Sequence, residues 1–457
     1  MLNTPIPRLI VTLSLPAVLN QLITVIYNTA DTYFVSQLNT SASAAVGIVF
    51  SLQSLIQAIG FGVAMGAGSL VSLKMGEDKY DEAVKYASGG MVMSAGLGTV
   101  IGVTGLLTLT PLMKLLGATE TNLPYAADYA RYILIASPVM CLTFVLAAIL
   151  RNEGQSLLST IGTCSGGLIN IILDPILIFK CGLGTAGAAI ATGISQFVSL
   201  LILVGMFLSG KSAVKIRLRS IPRNFRDYGK IFMTGIPTVF RQGLACIASA
   251  TLNRSAAVYT DAAVAAITIA NKVYLLVRGI MIGVGQGFMP VAGYNYGAKN
   301  GKRTKSAFRF TVFMGTAVAC VAAVVTAIFP GEIIGLFRDD PSVVEIGRPA
   351  LMFACAVMPF MAYSTFVNQL YQCLGFKLRA TLLASCRQGI FFLPLIWILP
   401  RLLGLTGIQA TQPAADFLTF LISIPLVCIS FTRSYLSWQL CDVRRLRFRQ
   451  VLKGNIP

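Results

Sequence analysis

Two aspartates lie inside long apolar stretches of the chain, where a carboxylate is an expensive group to bury. Asp31 falls within the run that begins at Leu9, and Asp174 follows a second uncharged run that begins at Gly154. Placing an acid at the centre of a membrane-spanning helix costs at least about 2.5 to 3.5 kcal/mol. Acids at this depth usually face a partner, a water-filled cavity or a transported ion, so both are candidate functional residues. The alternative is that they pair with helix amides and only stabilise packing.

The residues near these acids offer oxygen atoms. Asn170 precedes Asp174 by one helical turn, and a proline follows, so a helix here would present an amide, a carboxylate and a carbonyl that proline leaves free. Thr192 adds a hydroxyl in the next apolar run, and Tyr27 lies one turn before Asp31. Oxygen ligands suit a proton or a hard cation such as Na⁺ better than a transition metal. We therefore predict a cation site, for a proton or Na⁺, at Asp31, Asn170, Asp174 and Thr192.

Further polar and basic residues within or beside the apolar runs are predicted to line a substrate cavity. The basic ones have two interpretations, because intramembrane Lys and Arg also pair with backbone carbonyls or extend toward the interface. That choice stays open for Lys272, Arg278 and Arg387. The predicted cavity residues are Gln21, Tyr27, Asn28, Asn152, Arg241, Lys272, Arg278 and Arg387.

Membrane-spanning helices must position these groups. The chain has 457 residues, of which 55% are hydrophobic and only 12% charged, with a mean hydropathy of +0.75, whereas soluble domains carry about 25% charged residues. The apolar runs are too long for barrel strands and suit helices of about 20 residues or more. We predict an all-α integral membrane protein with twelve transmembrane helices. They cover approximately residues 9–37, 44–73, 86–110, 125–150, 157–180, 186–209, 230–255, 262–291, 307–330, 346–373, 380–401 and 412–436.

The distribution of positive charge predicts the orientation. Most of the 36 lysines and arginines fall in loops that share one side of the membrane if the N-terminus is cytoplasmic. An even number of spans then places both termini in the cytoplasm. The net charge of +19 is explained by this asymmetry, so we expect no nucleic-acid partner. The predicted location is the cell membrane of a bacterium or archaeon, as a multi-pass protein.

The two halves of the chain repeat with an offset of 221 residues. The repeat predicts two pseudo-symmetric six-helix lobes with a substrate cavity between them. Asp31 falls on Leu252 and Asp174 on Leu395, so ion coupling is expected in the first half only. The predicted domains are an N-lobe (1–210), a cytoplasmic linker (211–229), a C-lobe (230–436) and a basic tail (437–457). The matching residues are Pro16 and Pro237, Gln21 and Gln242, Gly62 and Gly283, Gly66 and Gly287, Gly76 and Gly297, Pro138 and Pro359, and Gly154 and Gly375.

Several classes of function are excluded or disfavoured. Histidine is absent, which excludes Ser-His-Asp and Cys-His catalysis. The chain has no CxxC pair, so its cysteines are interpreted as reduced packing residues. We expect no enzymatic activity and no cofactor beyond the coupling ion. The expected partners are a small amphipathic substrate and the lipid bilayer, and the expected state is a monomer.

Several motifs together resemble the multidrug and toxic compound extrusion (MATE) family, over essentially the whole chain. The resemblance implies a V-shaped pair of six-helix lobes and export of amphipathic, often cationic compounds against proton or sodium entry. It also implies coupling through Asp31, Asn170, Asp174 and Thr192. The alternative function is a flippase for a lipid-linked or anionic amphipathic substrate. The motifs are Tyr27-Asn28-x-x-Asp31, Arg151-Asn152-Glu153-Gly154-Gln155, Asn170-x-x-x-Asp174-Pro175, Gly283-x-Gly285-Gln286-Gly287, Tyr294-Asn295-Tyr296-Gly297-Ala298 and Arg387-Gln388.

Overall fold

A computed structural model of the protein describes residues 1–38, 40–338 and 340–427. Over these residues, twelve long helices form the fold. Over these residues it contains no strand, and each of the twelve helices is long and apolar enough to cross a membrane. The predicted all-α multi-pass fold is therefore confirmed. The helices are α1 (Ile6–Ser36), α2 (Thr40–Gly76), α3 (Tyr80–Leu107), α4 (Leu123–Asn152), α5 (Ser156–Lys180), α6 (Gly184–Leu208), α7 (Phe225–Ala257), α8 (Asp261–Gly297), α9 (Gly301–Ile328), α10 (Pro341–Cys373), α11 (Lys377–Leu403) and α12 (Leu405–Val427).

The internal repeat is visible in the helix boundaries. Helices α3 and α9 begin and end at positions that differ by the predicted offset of 221 residues. A short helix follows each of them, Leu109–Leu115 in the first half and Pro330–Phe337 in the second. Two six-helix lobes with the same order of elements follow from this correspondence, as the sequence predicts.

Several helices begin earlier than predicted, among them α3, α7, α9, α10 and α12. Helix α7 begins at Phe225, within the predicted linker, because the Asn224 side chain caps it by accepting a hydrogen bond from the Arg226 amide at 3.0 Å. The first turn of this helix carries charged residues, so the apolar run in the sequence begins only after it. Helix α12 begins at Leu405, before the predicted start at 412. The end of the predicted last span and the basic tail (437–457) lie outside the described residues.

Glycines bring the two lobes into close contact. A Cβ at Gly62 would lie 2.4 Å from a methyl carbon of Val239 on α7, and one at Gly283 would lie 2.7 Å from the Val18 Cα on α1. These pairs are related by the repeat, so each lobe presents its second helix to the first helix of the other. Gly62 and Gly66, and likewise Gly283 and Gly287, have the GxxxG spacing, which here allows close helix packing.

The N-terminal half of the first helix in each lobe also belongs to the core of the other lobe. Ile6, Ile10 and Leu13 of α1 pack in a cluster formed mostly by C-lobe residues. Ile231 of α7 packs in a cluster formed by N-lobe helices. Helix α1 therefore connects the two lobes, because its C-terminal half, which carries Asp31, packs within the N-lobe.

Candidate functional site

Three of the four predicted cation-site residues form a hydrogen-bonded chain in the N-lobe. The Asn170 amide of α5 donates to Asp174 Oδ1 at 3.0 Å and lies 3.4 Å from the Thr192 hydroxyl of α6. All three side chains are buried, and Asp174 is fully inaccessible. The one-turn spacing of Asn170 and Asp174 on α5 produces the contact that the sequence predicts.

A tyrosine that the sequence patterns do not indicate connects Asp31 to these hydrogen-bonded residues. The Tyr129 hydroxyl of α4 donates to Asp31 Oδ2 at 3.1 Å, and it is within electrostatic reach of Thr192 and Asp174. Tyr129 is 1% exposed. The structure thus brings all four predicted residues into one cluster, with Tyr129 at its centre.

The backbone next to Asp174 departs from regular α-helix. Pro175 cannot donate a hydrogen bond to the carbonyl one turn before it. The helix continues through Ile176–Lys180 as a wider π-helical turn, a feature that often occurs at functional sites. The predicted loosening of α5 at this proline is therefore present.

Three oxygen atoms in the cluster are buried and have no hydrogen-bond partner. They are Asp31 Oδ1, Asp174 Oδ2 and Asn170 Oδ1. Buried polar atoms are normally satisfied, so such atoms call for a functional explanation. A proton on a carboxylate or a Na⁺ ion among the oxygens would supply the missing interactions. The described residues contain no group of three or more His, Cys, Asp or Glu side chains that could hold a metal, so Na⁺ would depend on two carboxylates, an amide and a hydroxyl.

A cavity lies beside α1 in the N-lobe. Gln21 and Tyr27 line it, together with Phe61 and Phe144, whose rings stack at 4.2 Å. The other two N-lobe cavity candidates lie elsewhere. Asn28 bonds its own helix, and Asn152 is buried against α2.

Arg151 and Gln286 connect the two lobes at the edge of this cavity. The Arg151 guanidinium of α4 donates to Gln286 Oε1 of α8 at 2.5 Å, and both side chains line the cavity. Because each residue belongs to a different lobe, this bond must break if the lobes separate here.

Glu153 anchors the linker between the lobes to the N-lobe. Its carboxylate, in the loop after α4, accepts hydrogen bonds from the Ser212 hydroxyl at 2.9 Å and from the Ala213 amide at 2.7 Å. Burial raises the pKa of Glu153 to about 7. This carboxyl therefore changes its charge near neutral pH.

The predicted cavity arginines converge in the C-lobe, whereas the predicted lysine does not. Arg241, Arg278 and Arg387 line a second, small cavity. Lys272 is exposed and does not line it.

Arg387 pairs with an acid of α12. Asp416 is fully buried. Arg387 Nε lies 2.5 Å from Asp416 Oδ1, and the Tyr274 hydroxyl donates to the same carboxylate. Because α12 begins at Leu405, before the predicted start at 412, Asp416 lies well inside the helix.

Comparisons with known proteins agree on one family. The MatE family model matches residues 16–176 and 237–398, two segments whose first residues are 221 positions apart. The multidrug export protein MepA of Staphylococcus aureus is 26% identical over 427 residues, which cover 93% of this chain and 94% of MepA. MepA of Staphylococcus haemolyticus is 27% identical over 396 residues, or 86% and 87% of the two chains.

A similar solved structure is that of a multidrug resistance MATE family transporter in an outward-facing conformation. It has a TM-score of 0.90 with this protein at 24% sequence identity. The match covers 94% of this chain and 97% of the other. The fold is therefore shared over the full length of both halves.

Proposed function

Because the chain belongs to the MatE family of membrane transporters, we propose that it is a cation-coupled antiporter that exports amphipathic, chiefly cationic drugs or toxins by alternating access. The similar proteins named for multidrug export support this substrate class. The observation that carries the coupling is the buried cluster of Asp31, Tyr129, Asn170 and Asp174, with its three unpartnered oxygens. The coupling ion is a proton or Na⁺.

Ion binding changes the electrostatics of this cluster. Two carboxylates without a cation partner are costly in a dry interior. A proton turns one of them into a donor for a neighbouring oxygen, and Na⁺ satisfies several oxygens at once. Either ion stabilises the arrangement in which Asp31 stays close to Tyr129 and Asp174. Loss of the ion favours an arrangement in which water reaches Asp31.

Helix α1 would carry this change to the lobe interface. Its C-terminal half holds Asp31, and its N-terminal half forms part of the C-lobe core. The Ser14 hydroxyl of the N-terminal half donates to the Val284 carbonyl of α8 at 3.0 Å. A shift of α1 on ion binding therefore biases the packing of the lobes, and this differential stability is what coupling requires.

The N-lobe cavity would hold the substrate. The stacked pair Phe61 and Phe144 offers an aromatic surface for an apolar body or a cation, and Gln21 offers polar contacts. Helix α1 lines this cavity and carries Asp31, so substrate and ion act on the same helix. With the basic loops in the cytoplasm, Asp31 lies toward the outer side, where an entering ion reaches it.

Transport by the purified protein in vesicles tests the proposal. Export of tetraphenylphosphonium, an amphipathic cation, is followed under an imposed pH gradient and, separately, under an imposed Na⁺ gradient. We expect one gradient to drive export by the wild-type protein. Asp31→Asn and Asp174→Asn should each abolish the gradient-driven component.

The matched control is Asp128→Asn. Asp128 precedes Tyr129 in the chain but is exposed, so this variant makes the same chemical change outside the cluster and should export normally. Gradient-driven export by folded Asp31→Asn protein at the wild-type rate would disprove coupling through the cluster.

A further inference from the structure

The C-lobe cavity carries an unusual concentration of buried positive charge. Arg241, Arg278 and Arg387 reach it from α7, α8 and α11, and each lies near the middle of its helix. Arg278 is only 6% exposed and Arg387 only 7%. Polar side chains complete the lining. They are Ser364, Thr365, Asn368 and Thr419.

The described residues do not balance this charge. Among the described residues, Asp416 is the one carboxylate that contacts the cluster, and it is bound to Arg387. The Nε of Arg241 is buried without a hydrogen-bond partner, and Arg278 makes no hydrogen bond or ion pair with a described residue. Buried charges are normally paired, because an unpaired one loses its hydration without compensation. Two guanidinium groups are thus left with donors to satisfy.

The repeat shows that the fold does not require these arginines. With the offset of 221 residues, the three positions correspond to Asn20, Gln57 and Gly166 of the N-lobe. Asn20 and Gln57 line the N-lobe cavity and carry no charge. Equivalent helices therefore pack around neutral residues in one half and around cations in the other. This difference indicates that the cations bind a ligand.

We propose that the C-lobe cavity binds an oxyanion, namely the phosphate or carboxylate group of an amphipathic substrate. A guanidinium presents its donors in a planar fork that matches a carboxylate or phosphate with two parallel hydrogen bonds. Arg241 and Arg278 supply the two free forks, while Asp416 holds Arg387 beside them. The proposal extends the substrates to anionic and zwitterionic amphiphiles. It rests on the proposed transport function for movement across the membrane, but not for binding.

Binding to the full-length protein in phosphatidylcholine nanodiscs tests this directly. Isothermal titration calorimetry is performed with dodecyl phosphate, with inorganic phosphate, and with dodecyltrimethylammonium as a cation with the same tail. We expect dodecyl phosphate to bind, and Arg278→Gln and Arg241→Gln each to weaken this binding at least about tenfold. Lys272→Gln, which removes an exposed cation from the same helix as Arg278, should leave it unchanged.

The remaining measurements distinguish a free anion from an amphiphile head group as the ligand. They also distinguish a loss of binding from misfolding of the variant. Competition by inorganic phosphate would support an oxyanion site that tolerates a free anion, and binding of dodecyl phosphate alone would support recognition of an amphiphile head group. Arg278→Lys keeps the charge without the fork, so it should fold and bind with intermediate affinity. Asp31→Asn should bind dodecyl phosphate normally even though it loses export, which separates failure of this proposal from failure of the transport proposal. Equal affinity in wild type, Arg278→Gln and Arg278→Lys would overturn it.

Discussion

Replacement of Gly66 by alanine tests how the lobes are held together. A Cβ at this position would lie 2.1 Å from the Ile231 carbonyl oxygen and 3.0 Å from the Gly235 nitrogen, both backbone atoms of α7. An ordinary carbon-oxygen contact is about 3.3 Å or longer. Neither backbone atom can move out of the way as a side chain would, so α2 and α7 must separate by about 1 Å.

The expected magnitude follows from this overlap. Overpacking of a well-filled contact costs about 1 to 3 kcal/mol, which corresponds to a change of about 5- to 150-fold in a conformational equilibrium. Since the penalty applies only while α2 and α7 touch here, Gly66→Ala should favour the state in which the lobes are apart on this side. Gly243→Ala is the matched control, because no described residue beyond the neighbouring backbone of α7 places an atom within 4 Å of the added carbon.

Cross-linking across the lobe interface measures this shift. Cysteines replace Lys79 and Lys299, which line the same cleft near the contact between Gly76 and Tyr294, in a background without the natural cysteines. A short bifunctional maleimide should join them at least about fivefold more slowly in Gly66→Ala than in the parent or in Gly243→Ala. The reasoning is refuted if folded Gly66→Ala protein cross-links at the parent rate.

Three further predictions concern the side chains of Tyr129, Glu153 and Asp416. Tyr129→Phe removes the donor to Asp31, a bond of the charge-assisted kind that contributes about 1.5 to 3 kcal/mol, so gradient-driven export should fall about tenfold or more. Tyr132→Phe should leave export unchanged, and equal rates in the two variants would contradict the role of Tyr129. The pKa of Glu153 is raised from 4.5 to about 7 in the folded protein, so its contribution to stability is fully present below about 4.5 and is lost as pH rises through about 7. Thermal unfolding of Glu153→Gln should therefore depend less on pH between 5 and 8 than that of the wild type, and identical pH profiles would exclude this linkage. Asp416→Asn leaves Arg387 buried without its carboxylate and should lower the free energy of unfolding by about 3 to 5 kcal/mol, whereas a loss as small as that in Asp128→Asn would show that the pair is not a stabilising contact.

The spans and the N-lobe chain of polar groups were predictable because they depend on spacing within one helix. Asn170 and Asp174 meet because they are one turn apart, and the repeat identified Leu252 and Leu395 as the apolar counterparts of the two acids. Contacts between helices were not predictable in the same way. Tyr129 of α4 contacts Asp31 of α1 because of how the helices pack together, and no spacing within α4 reveals that contact.

Contacts between helices in the C-lobe were also not predictable from the sequence. The sequence identified Arg278 and Arg387 as intramembrane cations but could not choose between pairing with the backbone and facing a cavity. Packing decides this, since α8, α11 and α12 together place Asp416 against Arg387 and leave Arg278 beside the cavity. Lys272 lies less than two helical turns from Arg278 on α8, yet it is exposed, so the rotation of the helix separates two residues that look alike in the sequence.

Coupling through Asp31 and Asp174 requires that substrate binding release the coupling ion. Purified protein in weakly buffered detergent solution is mixed with tetraphenylphosphonium while a pH indicator follows protons and displacement of ²²Na⁺ follows sodium. We expect stoichiometric release of one of these ions by the wild-type protein, and none by Asp31→Asn or Asp174→Asn protein that still binds the substrate. Release of the same amount of the same ion by both variants would contradict coupling through the cluster around Tyr129.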